Sequence, residues 1–326
     1  MLDKAPLHSD QTDRAYLHLL HDVAFRPVFI IGDHRSGTTL LYQLLSTTGA
    51  FNVLTAYQVI RYGEILANHV QGATERAQAE LAARFAAEGL ADRVIDGVRV
   101  TPDLPEEYGF AIAADSRPAL SRTSLPRLVE LCRKLRYLGD DKPVLLKNPW
   151  DVLQFAFLKE AFAGAKFLFI HRHPLHVMNS QLQATRSLFA ARNGYVAMLS
   201  PWYASLFQRP LALAVTRAMA ARTLDIGARV TGRHVVKVTR YYLKHVNDLP
   251  KEDYIELRYE DLCADPDRTL AGVLGFLQLD AGAAPSLREH VRPRAARVLP
   301  EVQRQYRRIR KRLARYCSIQ GYGTDP

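Results

Sequence analysis

Short apolar runs alternate with helical patterns along the chain. The runs cover residues 27–31, 144–147, 166–170 and 254–257, and helical spacing follows each of them, over about 38–46, 151–162, 176–183 and 266–277. An apolar run of four or five residues that ends in a turn is typical of a buried strand. Four such strand–turn–helix units predict an α/β fold, in which a mostly parallel sheet is flanked by helices.

Long helical segments lie between these units. An Ala-rich helix is predicted over 75–89, and one or two helices are predicted over 211–247. We therefore expect helical insertions over about 57–141 and 186–246. The sequence contains no internal repeat and no low-complexity linker. A single domain over 26–323, preceded by an N-terminal extension over 1–25, is the predicted organisation.

Composition and cysteine usage narrow the class of protein. Of the 326 residues, 48% are hydrophobic and 24% are charged, which is typical of a globular protein. The three cysteines, Cys132, Cys263 and Cys317, are far apart and form no C-x-x-C pair, which disfavours a disulfide framework or a zinc cluster. No apolar run reaches the roughly 18–20 residues that cross a bilayer. The N-terminus is too polar for a signal peptide, so we expect a soluble, cytoplasmic protein.

Positive charge is concentrated near the C-terminus. The chain has 44 Lys and Arg against 33 Asp and Glu, and residues 288–315 alone hold eleven basic and two acidic residues. Apolar residues recur there at spacings of four and three, which predicts a basic amphipathic helix over about 300–316. Its charged face is open to three interpretations: a solvated helix face, the rim of an anionic-ligand site, or a surface for an acidic partner such as an anionic membrane.

The turn after the first strand carries the most informative motif, Gly32-Asp-His-Arg-Ser-Gly-Thr-Thr39. A glycine-rich turn that leads into a helix presents unpaired backbone N–H groups and the positive end of the helix dipole, and therefore binds oxyanions. The spacing from Gly32 to Gly37 is P-loop-like, but Thr38 stands where a nucleotide-hydrolysing P-loop needs lysine. The cation in this loop is Arg35, whose planar guanidinium can bind an anion through two bonds.

The motif R-S-G-T-T-L-L after an apolar strand resembles the 5′-phosphosulfate loop of sulfotransferases that use 3′-phosphoadenosine 5′-phosphosulfate (PAPS). With an arginine in this loop, the sequence is similar to the group that includes protein-tyrosine sulfotransferases and many bacterial enzymes. The resemblance implies that the phosphosulfate is bound by the loop residues Arg35, Ser36, Gly37, Thr38 and Thr39.

A second motif follows the third strand. The segment from Phe169 to Ser180, F-I-H-R-H-P-L-H-V-M-N-S, is similar to the 3′-phosphate motif of the same family. The resemblance implies that Arg172 and Ser180 bind the 3′-phosphate. The segments over 257–266 and 316–322 resemble the C-terminal half of these enzymes, where Tyr259 lies near the nucleotide or serves in packing. The resemblance spans about residues 26–323.

The resemblance implies in-line transfer of a sulfuryl group from PAPS to a hydroxyl or amine acceptor, with 3′-phosphoadenosine 5′-phosphate (PAP) as the product. Arg35 and the helix N-terminus are suited to the charge that develops on the leaving phosphate. No Mg²⁺-binding Asp stands out, so we expect catalysis without a metal. Lys147 ends the second strand, and in relatives a lysine at this point approaches the transferring group.

The general base is not evident, because the sequence departs from two family patterns. Pro149 stands where cytosolic relatives have a histidine, and Ala56 stands where protein-tyrosine relatives have a glutamate. Three candidates remain: Glu107, in a P-E-E segment similar to that of bacterial relatives, His34 in the loop, and Glu64. Glu107 is the preferred one, although each residue is also compatible with an ordinary solvated or satisfied side chain.

Two other functions compete with sulfuryl transfer. The P-loop-like spacing suits a nucleotide kinase or NTPase, but the missing lysine weakens this alternative. The basic C-terminal segment suits a nucleic-acid or anionic-membrane binder, although few of its aromatic residues are arranged for base stacking. We expect a small-molecule, glycan or tyrosyl-peptide acceptor and no nucleic acid. Peripheral contact with an anionic surface through the C-terminal helix is a secondary hypothesis.

Overall fold

A computed structural model describes residues 12–93, 98–113, 118–221, 225–280 and 297–323. The chain divides into two compact units. Unit 1 comprises Met1–Pro27, Phe51–Leu146 and Arg192–Gln208, and unit 2 comprises Val28–Ala50, Lys147–Ala191 and Arg209–Pro326. Residues 288–296 of the basic stretch lie outside the described residues. The domain boundaries given above stay predictions.

Five strands and fifteen α-helices make up the described chain. The strands are β1 (Pro27–Ile31), β2 (Asn52–Val53), β3 (Val144–Lys147), β4 (Lys166–His171) and β5 (Tyr254–Arg258). The helices are α1 (Thr38–Thr47), α2 (Ala56–Ile60), α3 (Ile65–Val70), α4 (Thr74–Ala87), α5 (Tyr108–Ile112), α6 (Leu125–Leu138), α7 (Phe155–Ala161), α8 (Pro174–Ala190), α9 (Gly194–Leu199), α10 (Pro201–Phe207), α11 (Pro210–Ala220), α12 (Ile226–His245), α13 (Tyr259–Ala264), α14 (Pro266–Phe276) and α15 (Pro300–Ile319). In addition, 3₁₀ helices occur at Asp13–Leu20, Pro149–Asp151, Val246–Asp248 and Lys251–Asp253.

The sheet of unit 2 is parallel, and its strands β1 and β4 are almost completely buried. β1 pairs with β4, with Phe29 opposite Phe167, and β4 pairs with β5, with Ile170 opposite Leu257. Every residue of β1 is buried, which explains its continuous apolar sequence, since a parallel strand is covered on both faces. In unit 1, β2 and β3 also pair in parallel. The predicted α/β fold with a mostly parallel sheet and flanking helices is confirmed.

The core of unit 1 contains a buried lysine. Lys134, on α6, donates to the carbonyl oxygen of Tyr62 at 3.0 Å and forms ion pairs with Asp13 at 3.0 Å and Glu130 at 2.9 Å. Its Nζ also lies 4.0 Å from the centre of the Tyr62 ring. Asp13, within the predicted N-terminal extension, accepts a further bond from the backbone N–H of Ala67 at 3.0 Å. A buried charge is tolerated here because carboxylates and a carbonyl surround it.

The helices of unit 2 pack around α12. This helix contacts α8, α11 and α15, and its buried face includes Val235, Val238 and Tyr242. Across the described ranges, no helix is long and apolar enough to span a membrane.

Candidate active site

The loop between β1 and α1 has an unusual backbone. Arg35 adopts a left-handed conformation with a φ of 71°, which is rare for a residue with a side chain, and Gly37 follows with a φ of 105°. A Cβ atom at Gly37 would overlap the ring of Tyr259, and one at Gly32 would lie 2.6 Å from Ser36 Oγ. Glycine at these two positions therefore lets the loop close tightly over the end of the sheet.

Helix α1 begins at Thr38, directly after the loop. The first N–H groups of a helix have no partner within it, and the helix dipole adds about half a positive charge there. Among the described residues, neither an acidic residue of the first turn nor a side-chain cap occupies this end of α1. The loop and the N-terminus of α1 thus form a cradle of backbone donors that suits an anion.

The side chains of the two sequence motifs meet at Arg35. Its Nε donates to the hydroxyl of Ser180 on α8 at 3.1 Å, and its carbonyl oxygen accepts from a guanidinium nitrogen of Arg172 at 2.9 Å. Gln181, next to Ser180, donates to the carbonyl oxygen of His34 at 2.9 Å. Segments more than 130 residues apart in the sequence are in this way joined at the carboxyl ends of β1 and β4.

Arg172 is held by its neighbours on both sides. It follows the last residue of β4, His171, whose Nδ1 lies 2.9 Å from the hydroxyl of Tyr316 on α15. Burial lowers the pKa of His171 to about 3, so its ring is neutral and acts in packing. The guanidinium carbon of Arg172 lies 4.3 Å from the ring centre of Tyr259, a cation–π contact. Tyr259 therefore positions Arg172 and covers the loop at Gly37.

Lys147, the last residue of β3, belongs to the same unit as the loop. Its side chain is buried, and its Nζ donates to the hydroxyl of Thr39 at 3.4 Å. The ammonium group also lies 5.9 Å from the ring centre of Tyr42. A third cation is thereby placed at the N-terminal turn of α1.

Asp33 and His234 form a pair beneath the loop. Asp33 Oδ1 accepts from the backbone N–H of His34 at 2.8 Å and lies 2.8 Å from Nε2 of His234, on α12. Burial lowers the pKa of His234, but the hydrogen bond and the charge of Asp33 raise it by more, so the net pKa is raised. The sequence did not single out either residue. Asp33 could be located from the loop motif, whereas nothing local links His234 to it.

A small cavity of about 40 Å³ lies next to Asp33 and Ser36, lined otherwise mainly by apolar side chains. Ser36 Oγ is buried and has no hydrogen-bond partner within the described part of the chain. An unsatisfied buried hydroxyl costs about 1–3 kcal/mol, which a bound anion oxygen would offset. This residue therefore fits the expected phosphosulfate ligand.

The three candidates for the general base are in different surroundings. His34 is in the loop, with its ring 4.8 Å from the ring of Trp150 in an edge contact. Glu107 and Glu64 belong to unit 1. Glu107 is buried and directly precedes α5. Glu64 forms an ion pair with Arg61 at 3.0 Å.

The residue next to Glu107 is held by several neighbours. Glu106 is fully buried, accepts from the hydroxyl of Tyr195 at 2.7 Å and lies 3.4 Å from a guanidinium nitrogen of Arg93. It also accepts from the backbone N–H of Glu107 at 3.2 Å. Glu106 thus fixes the start of α5. In the part of the chain that the structure describes, no cluster of three or more His, Cys, Asp or Glu could hold a metal ion.

The parallel sheet, the glycine-containing loop and the flanking helices define an α/β protein with a P-loop-like fold. The sequence pattern of the Sulfotransferase family matches residues 27–283, which is most of the chain. The protein therefore belongs to the sulfotransferase family, as the motifs predicted, and the nucleotide kinase alternative is not favoured.

Named relatives in two mycobacteria are sulfotransferases. The chain is 27% identical over 279 residues to omega-hydroxy-beta-dihydromenaquinone-9 sulfotransferase Stf3 of Mycobacterium tuberculosis and to the protein of that name in Mycobacterium bovis. The match covers 79% of this chain and 64% of the relatives, so it spans less than two thirds of their length.

The crystal structure of sulfotransferase STF9 from Mycobacterium avium is similar with a TM-score of 0.66 and 16% identity, over 94% of this chain and 81% of that one. STF1 from Mycobacterium tuberculosis gives a TM-score of 0.53 and 18% identity, over 84% and 73%. At this level of identity, these likenesses support the fold.

Proposed function

We propose that this protein transfers a sulfuryl group from PAPS to a hydroxyl or amine acceptor and releases PAP. The observation that carries the proposal is the hydrogen-bonded chain from Ser180 through Arg35 to Arg172 at the N-terminus of α1. Both phosphate-binding segments expected from the sequence contribute to it. A donor with phosphate groups on both the 3′ and the 5′ positions of one ribose requires two such segments at one site.

Each end of the donor has its own set of residues in this proposal. Arg35, Ser36 and the N–H groups of Gly37, Thr38 and Thr39 bind the 5′-phosphosulfate. The guanidinium group of Arg172 and the hydroxyl of Ser180 bind the 3′-phosphate, and Tyr259 keeps Arg172 in place through the cation–π contact. Support comes from the unsatisfied hydroxyl of Ser36 and from the left-handed backbone of Arg35.

Sulfuryl transfer leaves negative charge on the departing phosphate. Arg35 and the N-terminus of α1 stabilise that charge without a metal ion, because both are fixed before the reaction starts. Lys147 neutralises charge on the oxygens of the transferring group, and its bond to Thr39 keeps the ammonium group near the loop. Removal of one such fixed donor costs about 10²–10³ in kcat.

The acceptor must lose a proton, and Glu107 and His34 are the two bases that we propose to test. Glu64, whose carboxylate forms an ion pair with Arg61 at 3.0 Å, is the third candidate. If Glu107 is the base, Glu107→Gln lowers kcat by at least about 10²-fold while PAP affinity is kept. Loss of turnover in His34→Asn, with Glu107→Gln unaffected, would assign the role to His34.

For the acceptor, we propose a small molecule with an alcohol group. The name of the mycobacterial relatives states an omega-hydroxy substrate, which is an alcohol. Apolar primary alcohols, phenols, sugars and tyrosyl peptides should be compared in one assay with labelled PAPS. Selective labelling of sugars or peptides would contradict the proposed class.

Calorimetric titration with PAP tests the donor site. We expect micromolar binding in the presence of EDTA and much weaker binding of AMP, which lacks the 3′-phosphate. Arg172→Ala should remove the preference for PAP over AMP, because the bond to the 3′-phosphate is lost. Arg76→Ala, on an exposed helix of unit 1, is the matched control. Preference for ATP with Mg²⁺ over PAP would overturn the proposal in favour of a kinase.

A further inference from the structure

The net charge of the protein comes from two helices. Together α12 and α15 contain twelve Lys and Arg and one acidic residue, Glu301, a difference of eleven. The whole chain has 44 basic and 33 acidic residues, also a difference of eleven, so the remaining sequence is neutral. Glu301 is buried and paired with Arg186 at 2.8 Å, so it does not offset the cations at the surface.

The cations of α12 form a row on its exposed side. The row consists of exposed residues spaced four, four, three and four apart: Arg229, Arg233, Lys237, Arg240 and Lys244. This spacing places them along one face of the helix. The opposite face packs in the core of unit 2.

Helix α15 carries a second row of the same kind. Its exposed members are Arg304, Arg308, Lys311 and Arg315. The two helices touch closely at Gly232, where a Cβ atom would lie 3.1 Å from Ile309.

The two rows meet at Asp225, directly before α12. Arg304 binds Asp225 at 2.8 Å, and the pKa of Asp225 is lowered by this hydrogen bond and by the charges of Arg304, Arg229 and Arg308. Cations from both helices therefore lie around one carboxylate.

Exposed apolar residues lie next to this basic face. On α11, Leu211, Val215 and Met219 are spaced four apart and are 83%, 59% and 45% exposed. A Cβ atom at Gly227 of α12 would lie 3.1 Å from the carbonyl oxygen of Met219. Val230, one turn further along α12, is 48% exposed. We define the apolar ridge as these four exposed side chains.

We propose that the apolar ridge and the basic rows of α12 and α15 bind the surface of an anionic phospholipid bilayer. Basic side chains attract anionic headgroups, and adjacent apolar side chains enter the headgroup region. The rows alone would also suit nucleic acid, but a phosphate backbone gives the ridge no apolar contact. The ridge therefore favours the bilayer. This inference concerns an interaction surface and does not depend on the proposed reaction.

Vesicle flotation tests the proposal with the full-length protein. We expect binding to vesicles of 30% phosphatidylglycerol in phosphatidylcholine and at least tenfold weaker binding to pure phosphatidylcholine. The quadruple variant R233Q/K237Q/R240Q/K244Q should lose at least tenfold in affinity for the anionic vesicles. The triple variant L211S/V215S/M219S should also bind more weakly, and its residual binding should disappear in 0.5 M NaCl.

Matched controls come from unit 1. V70S replaces an exposed apolar residue, and R76Q/R84Q replaces two exposed arginines; neither should change vesicle binding. Circular dichroism establishes that each variant is folded. Equal binding to both vesicle types would overturn the proposal. Binding to anionic vesicles that neither the quadruple nor the triple variant weakens would also overturn it. Tight binding of duplex DNA without vesicle binding, or a dimer that the triple variant dissociates, would overturn it in favour of that partner.

Discussion

The left-handed backbone of Arg35 is maintained by contacts from outside the loop. A non-glycine residue in this conformation costs about 1–2 kcal/mol. The bond from Arg172 to the carbonyl oxygen of Arg35 and the bond from Arg35 to Ser180 offset that cost. Backbone strain at this residue therefore indicates that the loop is fixed in one conformation before an anion binds.

Gly37→Ala tests the close approach of Tyr259 to the loop. A methyl group there would overlap the tyrosine ring, so we expect PAP affinity to fall at least tenfold. Gly49→Ala is the control, because Gly49 has a φ of 68° but no atom of the described residues lies within 4 Å of a Cβ placed there. It should cost about 1 kcal/mol of stability and leave PAP affinity unchanged. Equal loss of affinity in both variants would assign the effect to global destabilisation.

The Asp33–His234 pair makes a pH-dependent contribution to stability. Because the folded-state pKa of His234 is raised, the contribution is complete below the unfolded-state pKa and is lost as pH rises through the folded-state pKa. We expect the NMR titration midpoint of His234 to lie above that of a free histidine and to fall in Asp33→Asn. An unchanged midpoint would show that Asp33 does not stabilise the protonated imidazole of His234.

The sequence predicts the residues of the loop better than their partners. Arg35, Ser36 and Gly37 follow from a local motif, since a glycine-containing turn between strand and helix has one common use. The contact of His234 with Asp33 joins residues 201 positions apart, and no periodicity encodes it. Glu107 and His34 remain candidates for the same reason, because a motif does not specify which side chain an acceptor meets.

At the scale of elements, strands and long helices follow from the sequence more closely than short ones. The predicted strand over 166–170 extends to His171, and the helix predicted over 151–162 is restricted to Phe155–Ala161, because Pro149–Asp151 forms a 3₁₀ turn. β2 has only two residues, too few for an alternating pattern. The segment over 211–247 contains two helices, and Asp225, with a φ of 52°, precedes the second.

Asn179 links α8 to the start of α15. Its side chain donates to the carbonyl oxygen of Arg297 at 3.2 Å and accepts from the backbone N–H of Leu299 at 2.9 Å. Asn179→Ala removes both hydrogen bonds, each worth about 0.5–1.5 kcal/mol, so the free energy of unfolding should fall by about 1–3 kcal/mol in urea titrations. Asn247→Ala, at an exposed position, should change it by less than about 0.5 kcal/mol. Similar values for both variants would contradict the role of Asn179.

At the scale of the whole molecule, charge is unevenly shared between a neutral body and two strongly basic helices. Like charges four residues apart on a helix destabilise it by about 0.2–0.5 kcal/mol per pair. Arg229 and Arg233, Arg233 and Lys237, and Arg240 and Lys244 are such pairs on α12. Salt screens this repulsion, since the Debye length falls to about 10 Å at 0.1 M. We therefore expect the melting temperature to rise by about 1–3 °C between 20 and 300 mM NaCl.

The variant R233Q/K237Q/R240Q/K244Q should melt higher than the natural protein at 20 mM NaCl and should respond less to salt. R76Q/R84Q is the matched control, because Arg84 pairs with Glu88 at 2.8 Å and Arg76 lies 3.8 Å from Glu80. Its substitutions remove attraction instead of repulsion, so its melting temperature should not rise. A lower melting temperature in the quadruple variant would mean that the cations of α12 stabilise the fold through bonds within the chain. Their exposure for an anionic partner would then come without a cost in stability, and the expected repulsion along α12 would be refuted.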